Sequence, residues 1–257
     1  MKRENLGRLC CLLWLVVNLL AACGGQKIQD NNYTPDNEAA KINLQLGVEY
    51  MRRGQNDIAL NKLQKALILD NYYADAHNAI AVLYEHLGVD DEARRHYQTA
   101  VTLKPKGSDI HNNYGQFLCK HGQPEAAFQH FLKALEDPVY RFPETPYTNA
   151  GLCALRHKDS IKAETYFRQA LQKNPKFPIA LYHMAQLSYE QRGYNQARDY
   201  LQRYLKVAEH TPKTLWLGVR IARALNDRDA EASYALLLRR KFPDALETQK
   251  LYQSERH

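Results

Sequence analysis

The sequence predicts an all-α protein, a right-handed superhelical solenoid of six two-helix repeats, and three regularities lead to that expectation. Small residues recur at Gly47, Ala81, Gly115, Gly151, Ala185 and Gly218, with successive intervals of 34, 34, 36, 34 and 33. Twelve positions after each stands an alanine (Ala59, Ala93, Ala127, Ala163, Ala197, Ala230), and four later a bulky side chain (Leu63, Tyr97, Phe131, Phe167, Leu201, Tyr234). Pro105 and Pro175 close their units, with Pro138 and Pro212 near the same boundary, where a residue without an N–H ends a helix. A period of this length means stacked supersecondary units, each burying its face on its neighbours.

Taken in chain order, the first element is Lys2, Arg3 and Arg8 followed by an apolar run from Leu9 to Leu20, interrupted only by Asn18. That is the pattern of a secretory signal. As a helix the run reaches roughly 18 Å against a hydrocarbon core of roughly 30 Å, too short for a permanent span. Residues 1–22 are therefore expected to be removed. The quartet Leu20-Ala21-Ala22-Cys23 resembles the lipobox of bacterial lipoproteins, which implies a diacylglycerol on the Cys23 thiol. Gly24 instead of aspartate after it implies the outer membrane. An ordinary signal peptide with a chance cysteine is the competing reading. More than one acyl chain makes a stable anchor where a single chain holds marginally. Residues 23–38 are polar and read as a tether, about 20 Å long on average and on the order of 50 Å at full stretch.

Residues 39–243 carry the repeats. Two antiparallel helices approach so closely at the small residue that only Gly or Ala fits, and a bulky side chain of the second helix fills the adjacent gap. A third small residue follows at Ala66, Ala100, Ala134 and Ala170, replaced by Tyr204 and Leu237 in the last two units. Gly54, Gly88 and Gly122 sit where the chain turns and a left-handed residue is useful. Lys158 and Arg192 take that place in the fourth and fifth units, which leaves their turn geometry open. The pattern resembles the tetratricopeptide repeat, and that resemblance implies that the first helices line a concave side. Residues 244–257 are charged and read as a cap or tail.

A narrower resemblance lies in NNYGQFLCKHGQPEAAFQHFLKALEDPVYRFPETPYTNAGLCALR, Asn112 to Arg156. The pairing of NYGxFLC with DPxYxxP and YxNxGLC is not part of the generic repeat, and the two-residue insertion behind the 36 interval falls inside it. This segment is similar to the type IV pilus assembly lipoproteins of the PilF/PilW family. Such proteins act as pilotins, so the resemblance implies an outer-membrane scaffold that helps the pilus secretin localise, multimerise or stay assembled. An envelope adaptor for cell-wall enzymes or another complex is the rival reading, and a wall enzyme is a more distant one.

Five cysteines reduce to Cys119 and Cys153 once Cys10 and Cys11 leave with the signal and Cys23 is acylated. An even pair in an oxidising compartment suggests a disulfide. On equivalent first helices the two positions differ by two residues, about 200° of rotation, so the forward flank of one faces the rear flank of the next. Their Cα atoms would then approach to roughly 5 to 6 Å, within disulfide range. Two buried thiols are the alternative.

Residues three before, one after and four after each small anchor share a helix face and should line the groove. In the first unit these are Leu44, Val48 and Met51, an apolar stripe suited to an amphipathic or extended partner segment, unless the tether or neighbouring helices cover it. The second and third units place Asn78, Val82 and Glu85, then Asn112, Gln116 and Cys119 there. The fourth has Thr148, Leu152 and Leu155, and the fifth Tyr182, Gln186 and Tyr189.

The formal charge is +7, and nearer +5 without residues 1–22. Basic residues are scattered, the densest run being Arg239-Arg240-Lys241, which argues against nucleic acid as a partner. Ten histidines raise a metal question, but HExxH is missing and Cys119-Lys120-His121 has no matching second pair. His77 and His111, each four before an anchor, read as core or near-core. GxSxG, P-loop and GxGxxG motifs are also missing. The expectation is a protein-binding scaffold with no catalytic residue, cofactor, metal or small-molecule substrate.

Overall fold

The computed structural model describes residues 37–256, and these form thirteen helices and no strand. The expectations for the signal segment, for Cys23 and for most of the tether lie outside the described residues. Six antiparallel hairpins follow one another: α1 (Glu38–Arg52) with α2 (Asn56–Leu69), α3 (Ala74–Leu87) with α4 (Asp90–Leu103), and α5 (Ser108–Lys120) with α6 (Pro124–Ala134). The second three are α7 (Glu144–Arg156) with α8 (Ser160–Lys173), α9 (Pro178–Glu190) with α10 (Tyr194–Leu205), and α11 (Pro212–Ala224) with α12 (Arg228–Lys241). A last helix, α13 (Leu246–Glu255), packs on α11 and α12. Each hairpin packs on the next, and α1 touches α3, α3 touches α5 and α5 touches α7. The fold is therefore an all-α solenoid, as the repeat pattern predicts.

Close packing inside each hairpin accounts for the small-residue positions. A Cβ on Gly115 would lie 2.7 Å from the Phe131 ring, and one on Gly151 would lie 2.6 Å from the Phe167 ring. Both rings are buried, as are Leu63, Tyr97 and Leu201 at the same position of their units. Each such side chain contributes about 1.5–3 kcal/mol by leaving water.

All six hairpins close with the same backbone bond. Gln55 N donates to Tyr50 O, Val89 N to Tyr84 O, Gln123 N to Leu118 O, Asp159 N to Ala154 O, Gly193 N to Ser188 O and Asp227 N to Ala222 O, each at 2.8–2.9 Å. The residue before each of these donors is left-handed: Gly54, Gly88 and Gly122 in the first three units, then Lys158 (φ 63°), Arg192 (φ 64°) and Asn226 (φ 57°). The turn thus survives the loss of glycine. A non-glycine residue there costs about 1–2 kcal/mol, and the next residue offsets part of it in two units, since Asp159 and Asp227 cap their helices by accepting from Lys162 N and Ala230 N at 2.9 and 3.0 Å.

These closures correct the last unit. Asp227 makes the bond that Gly193 makes one unit earlier, so the last interval is 34 and not 33. Ala230 and Tyr234 are only partly buried there, while Ala235 and Leu238 are buried. Val219 is thus the sixth counterpart of Gly47, although Gly218 still lies against the Tyr234 ring. The turn decides the register, because an extra residue precedes it.

The unusual segment joins the third and fourth units. Between α6 and α7, Asp137 accepts from Val139 N at 3.0 Å, and the Tyr140 hydroxyl reaches back to Asp109 of α5 at 2.8 Å. At the other end of the solenoid, Leu251 of α13 is buried with Leu215, Val219, Ala235 and Leu238, so the charged terminus is a cap. Among the described residues no helix is long and apolar enough to cross a membrane.

Candidate partner-binding groove

The predicted groove face carries open depressions at two places. Val82, Glu85 and Gln116 help line one of about 290 Å³. Tyr182 and Gln186 help line another of about 340 Å³. Both sets occupy the three predicted positions relative to the anchors, so Leu44, Val48 and Met51 lie in the same register on α1. These three are half-buried and pack against the cluster that contains Ala79, Ile80 and Leu83 of α3. Each keeps part of its surface open. Elsewhere on α1, Ile42 and Leu46 are 47% and 38% exposed.

The middle of the groove departs from expectation. Asn112 and Thr148 are 5% and 1% exposed, and Cys119 is also buried, so none of the three lines an open surface. Their first helices lie too close together. Asn149 Nδ2 donates to Asn112 Oδ1 at 2.8 Å, and Asn113 Nδ2 donates to Asn78 Oδ1 at 3.3 Å. Glu85 accepts from the Tyr97 hydroxyl at 3.1 Å and pairs with Lys120 at 3.4 Å. The polar groups here serve contacts between and within repeats.

Cys119 and Cys153 are joined by a disulfide, with their Cα atoms 5.8 Å apart. The bond links α5 to α7 near the end of α5, while Asn149 bonds Asn112 in its middle and Tyr140 bonds Asp109 at its start, so the three parts of the narrower motif tie one junction along its length. His157 completes the one group of three possible metal ligands among the described residues, but the disulfide leaves no thiolate to bind a cation.

His77 and His111 are near-core, as expected, and each has a partner that sequence reasoning missed. His77 Nδ1 lies 2.9 Å from His96 Nδ1, and His111 Nδ1 lies 2.8 Å from His130 Nδ1. Nε2 of His77 faces Asn71 O at 3.2 Å and Nε2 of His111 faces Pro105 O at 2.8 Å. A carbonyl only accepts, so each Nε2 carries the proton and each Nδ1 accepts from the second histidine. The signal was a histidine pair at one and the same separation in two consecutive units. Burial, then the neighbouring imidazole, lowers His96 and His130 to about 4. Burial also lowers His77 and His111.

The corrected sixth register also reveals Trp216 and Arg220 at groove positions three before and one after Val219. Both line the second depression. Pro175 and Pro243 stand two full 34-periods apart in the chain, and that spacing was the available signal.

Tetratricopeptide repeat models match residues 44–108, 96–129 and 154–213. Over 219 residues the chain is 35% identical to the type IV pilus assembly protein PilF of Pseudomonas aeruginosa strain PAO1, covering 85% of this chain and 86% of that protein. The solved structure of Pseudomonas aeruginosa PilF superposes with a TM-score of 0.76 at 35% identity, over 85% of this chain and 98% of that one. The crystal structure of PilW, a widely conserved type IV pilus biogenesis factor, superposes at 0.75 with 32% identity, over 84% and 99% of the two chains.

Proposed function

The chain belongs to the PilF/PilW family of type IV pilus biogenesis proteins, and on that premise we propose that it acts as a pilotin, an outer-membrane lipoprotein that binds the pilus secretin. Leu44, Val48 and Met51 take apolar anchor residues of the secretin, and acyl chains on Cys23 hold the complex at the periplasmic face of the outer membrane. The observation that carries this reading is the half-buried apolar stripe at the first unit, where the second and third units present Asn78, Glu85 and Gln116 instead. Tethering is the mechanism: confinement to the membrane surface raises the effective concentration of bound secretin and favours its assembly. It requires no covalent step.

The experiment combines a deletion strain with the double variant Leu44→Asp, Met51→Asp. Secretin multimers should be lost in the deletion. The double variant should keep its helical content and lose secretin crosslinks from position 48. Unchanged crosslinking in a folded double variant removes the site, while normal multimers with altered wall turnover favour the envelope adaptor. Mass spectrometry of the processed protein should find a lipidated Cys23 at its N-terminus, and an unmodified terminus removes the anchor.

A further inference from the structure

The far end of the groove holds a group of side chains that secretin binding at the first unit does not use. Tyr182 of α9, Lys213, Trp216 and Arg220 of α11, and Glu247 and Lys250 of α13 line the cavity of about 340 Å³. The Arg220 guanidinium stands 4.7 Å from the centre of the Tyr189 ring and 6.0 Å from that of Trp216. Aromatic faces attract the cation but accept none of its in-plane hydrogen bonds. Arg220 Nε and His183 Nδ1, both on residues at this wall, are buried without a hydrogen-bond partner among the described residues. A buried donor such as Nε left this way costs about 1–3 kcal/mol and calls for an acceptor from outside. Lys213, Arg220 and Lys250 form no ion pair among the described residues. Three cations thus line the cavity with one carboxylate, Glu247, while a second, Glu190, accepts from Gln186 of the same wall at 3.1 Å.

We propose that this end of the groove is a second binding site, for an acidic peptide segment of a partner protein. A carboxylate of the segment sits on Arg220 between Lys213 and Lys250, and a neighbouring aromatic or aliphatic side chain lies on Trp216 and Tyr182. The segment continues as an extended chain toward Tyr189, Leu155 and Leu152, which are half-buried on the adjoining groove face. Glu247 favours a singly charged carboxylate over a dianion, because its own charge repels the second one. This site stands apart from the stripe at Leu44, so either can fail alone.

The molecule supplies its own probe, because its two tryptophans are Trp14 and Trp216. In the processed chain, which starts at Cys23, or in the full chain with Trp14→Phe, only the site tryptophan emits. Random dodecapeptides displayed against this protein should enrich sequences that place Asp or Glu beside an aliphatic or aromatic residue. The strongest of them, synthesised, should shift Trp216 emission saturably. Converting its acids to amides should weaken binding about tenfold, as should the pair Lys213→Gln, Arg220→Gln. Raising salt from about 50 to about 300 mM should weaken it as well. Leu44→Asp with Met51→Asp should leave it unchanged. Should Arg220→Gln disturb folding, Lys213→Gln with Lys250→Gln alters only exposed lysines and gives the same readout. Enrichment without acidic residues, equal binding of acidic and amide peptides, or an unmoved Trp216 spectrum would overturn the proposal.

Discussion

The imidazole pairs His77–His96 and His111–His130 tie the first helix of a hairpin to its second through neutral rings. Each pair needs one proton on the shared axis, so protonating both of its rings puts two protons there and replaces an attraction with a repulsion. Beside His96 the Glu92 carboxylate opposes burial and Arg95 adds to it, while Lys133 adds to it beside His130. An unfolded histidine titrates near 6.5, whereas His96, His130 and the buried His183 are held at about 4. Below pH 6.5 the unfolded chain takes up protons that the folded chain refuses. Stability from these residues is complete above that pH and is lost as pH falls toward 4. The melting temperature should therefore drop between pH 6.5 and 5, and the double variant His96→Phe, His130→Phe should show a shallower slope. Parallel slopes in circular dichroism melts would exclude the pairs as its source. The sequence placed His77 and His111 near the core, yet their partners were invisible to one-helix periodicity because the contact spans a turn.

A hairpin here is defined by its closing bond more than by the residue that makes the turn. Lys158, Arg192 and Asn226 adopt the conformation that glycine takes in the first three units, because the packed helices on either side dictate it. The junction of the third and fourth hairpins needs more than the standard closure, since α6 is shortened and residues 135–143 form a longer connection before α7. Tyr140, Asn149 and the disulfide supply the additional ties. Closing a loop of 34 residues limits the unfolded chain and stabilises by up to about 4 kcal/mol. Cys119→Ser with Cys153→Ser should lower urea stability by an amount in that range and should spare overall helical content. An unchanged denaturation midpoint would mean that Tyr140 and Asn149 hold the junction without the bond.

Because each unit touches only its neighbours, the two ends of the described solenoid carry its distinctive surfaces. The first unit exposes Ile42 and Leu46 beside the half-buried stripe, while the last unit is covered by α13. Deleting residues 244–257 should uncover Leu215, Val219 and Leu238 and lose the burial of Leu251, about 1.5–3 kcal/mol. Light scattering should detect self-association and melting should occur at lower temperature. A stable monomer with an unchanged melting temperature would show that the solenoid does not need α13 as its cap. The repeat period and the Gly and Ala positions were legible in the chain because close packing restricts residue type locally. Even the approach of Cys119 to Cys153 followed from helical rotation and the spacing of neighbouring helices. What stayed hidden was the sixth register and, with it, Trp216 and Arg220, together with the burial of Asn112 and Thr148. Those depend on where a turn falls and on how closely helices from separate hairpins approach, distances that no single helix encodes and that only the packed array establishes.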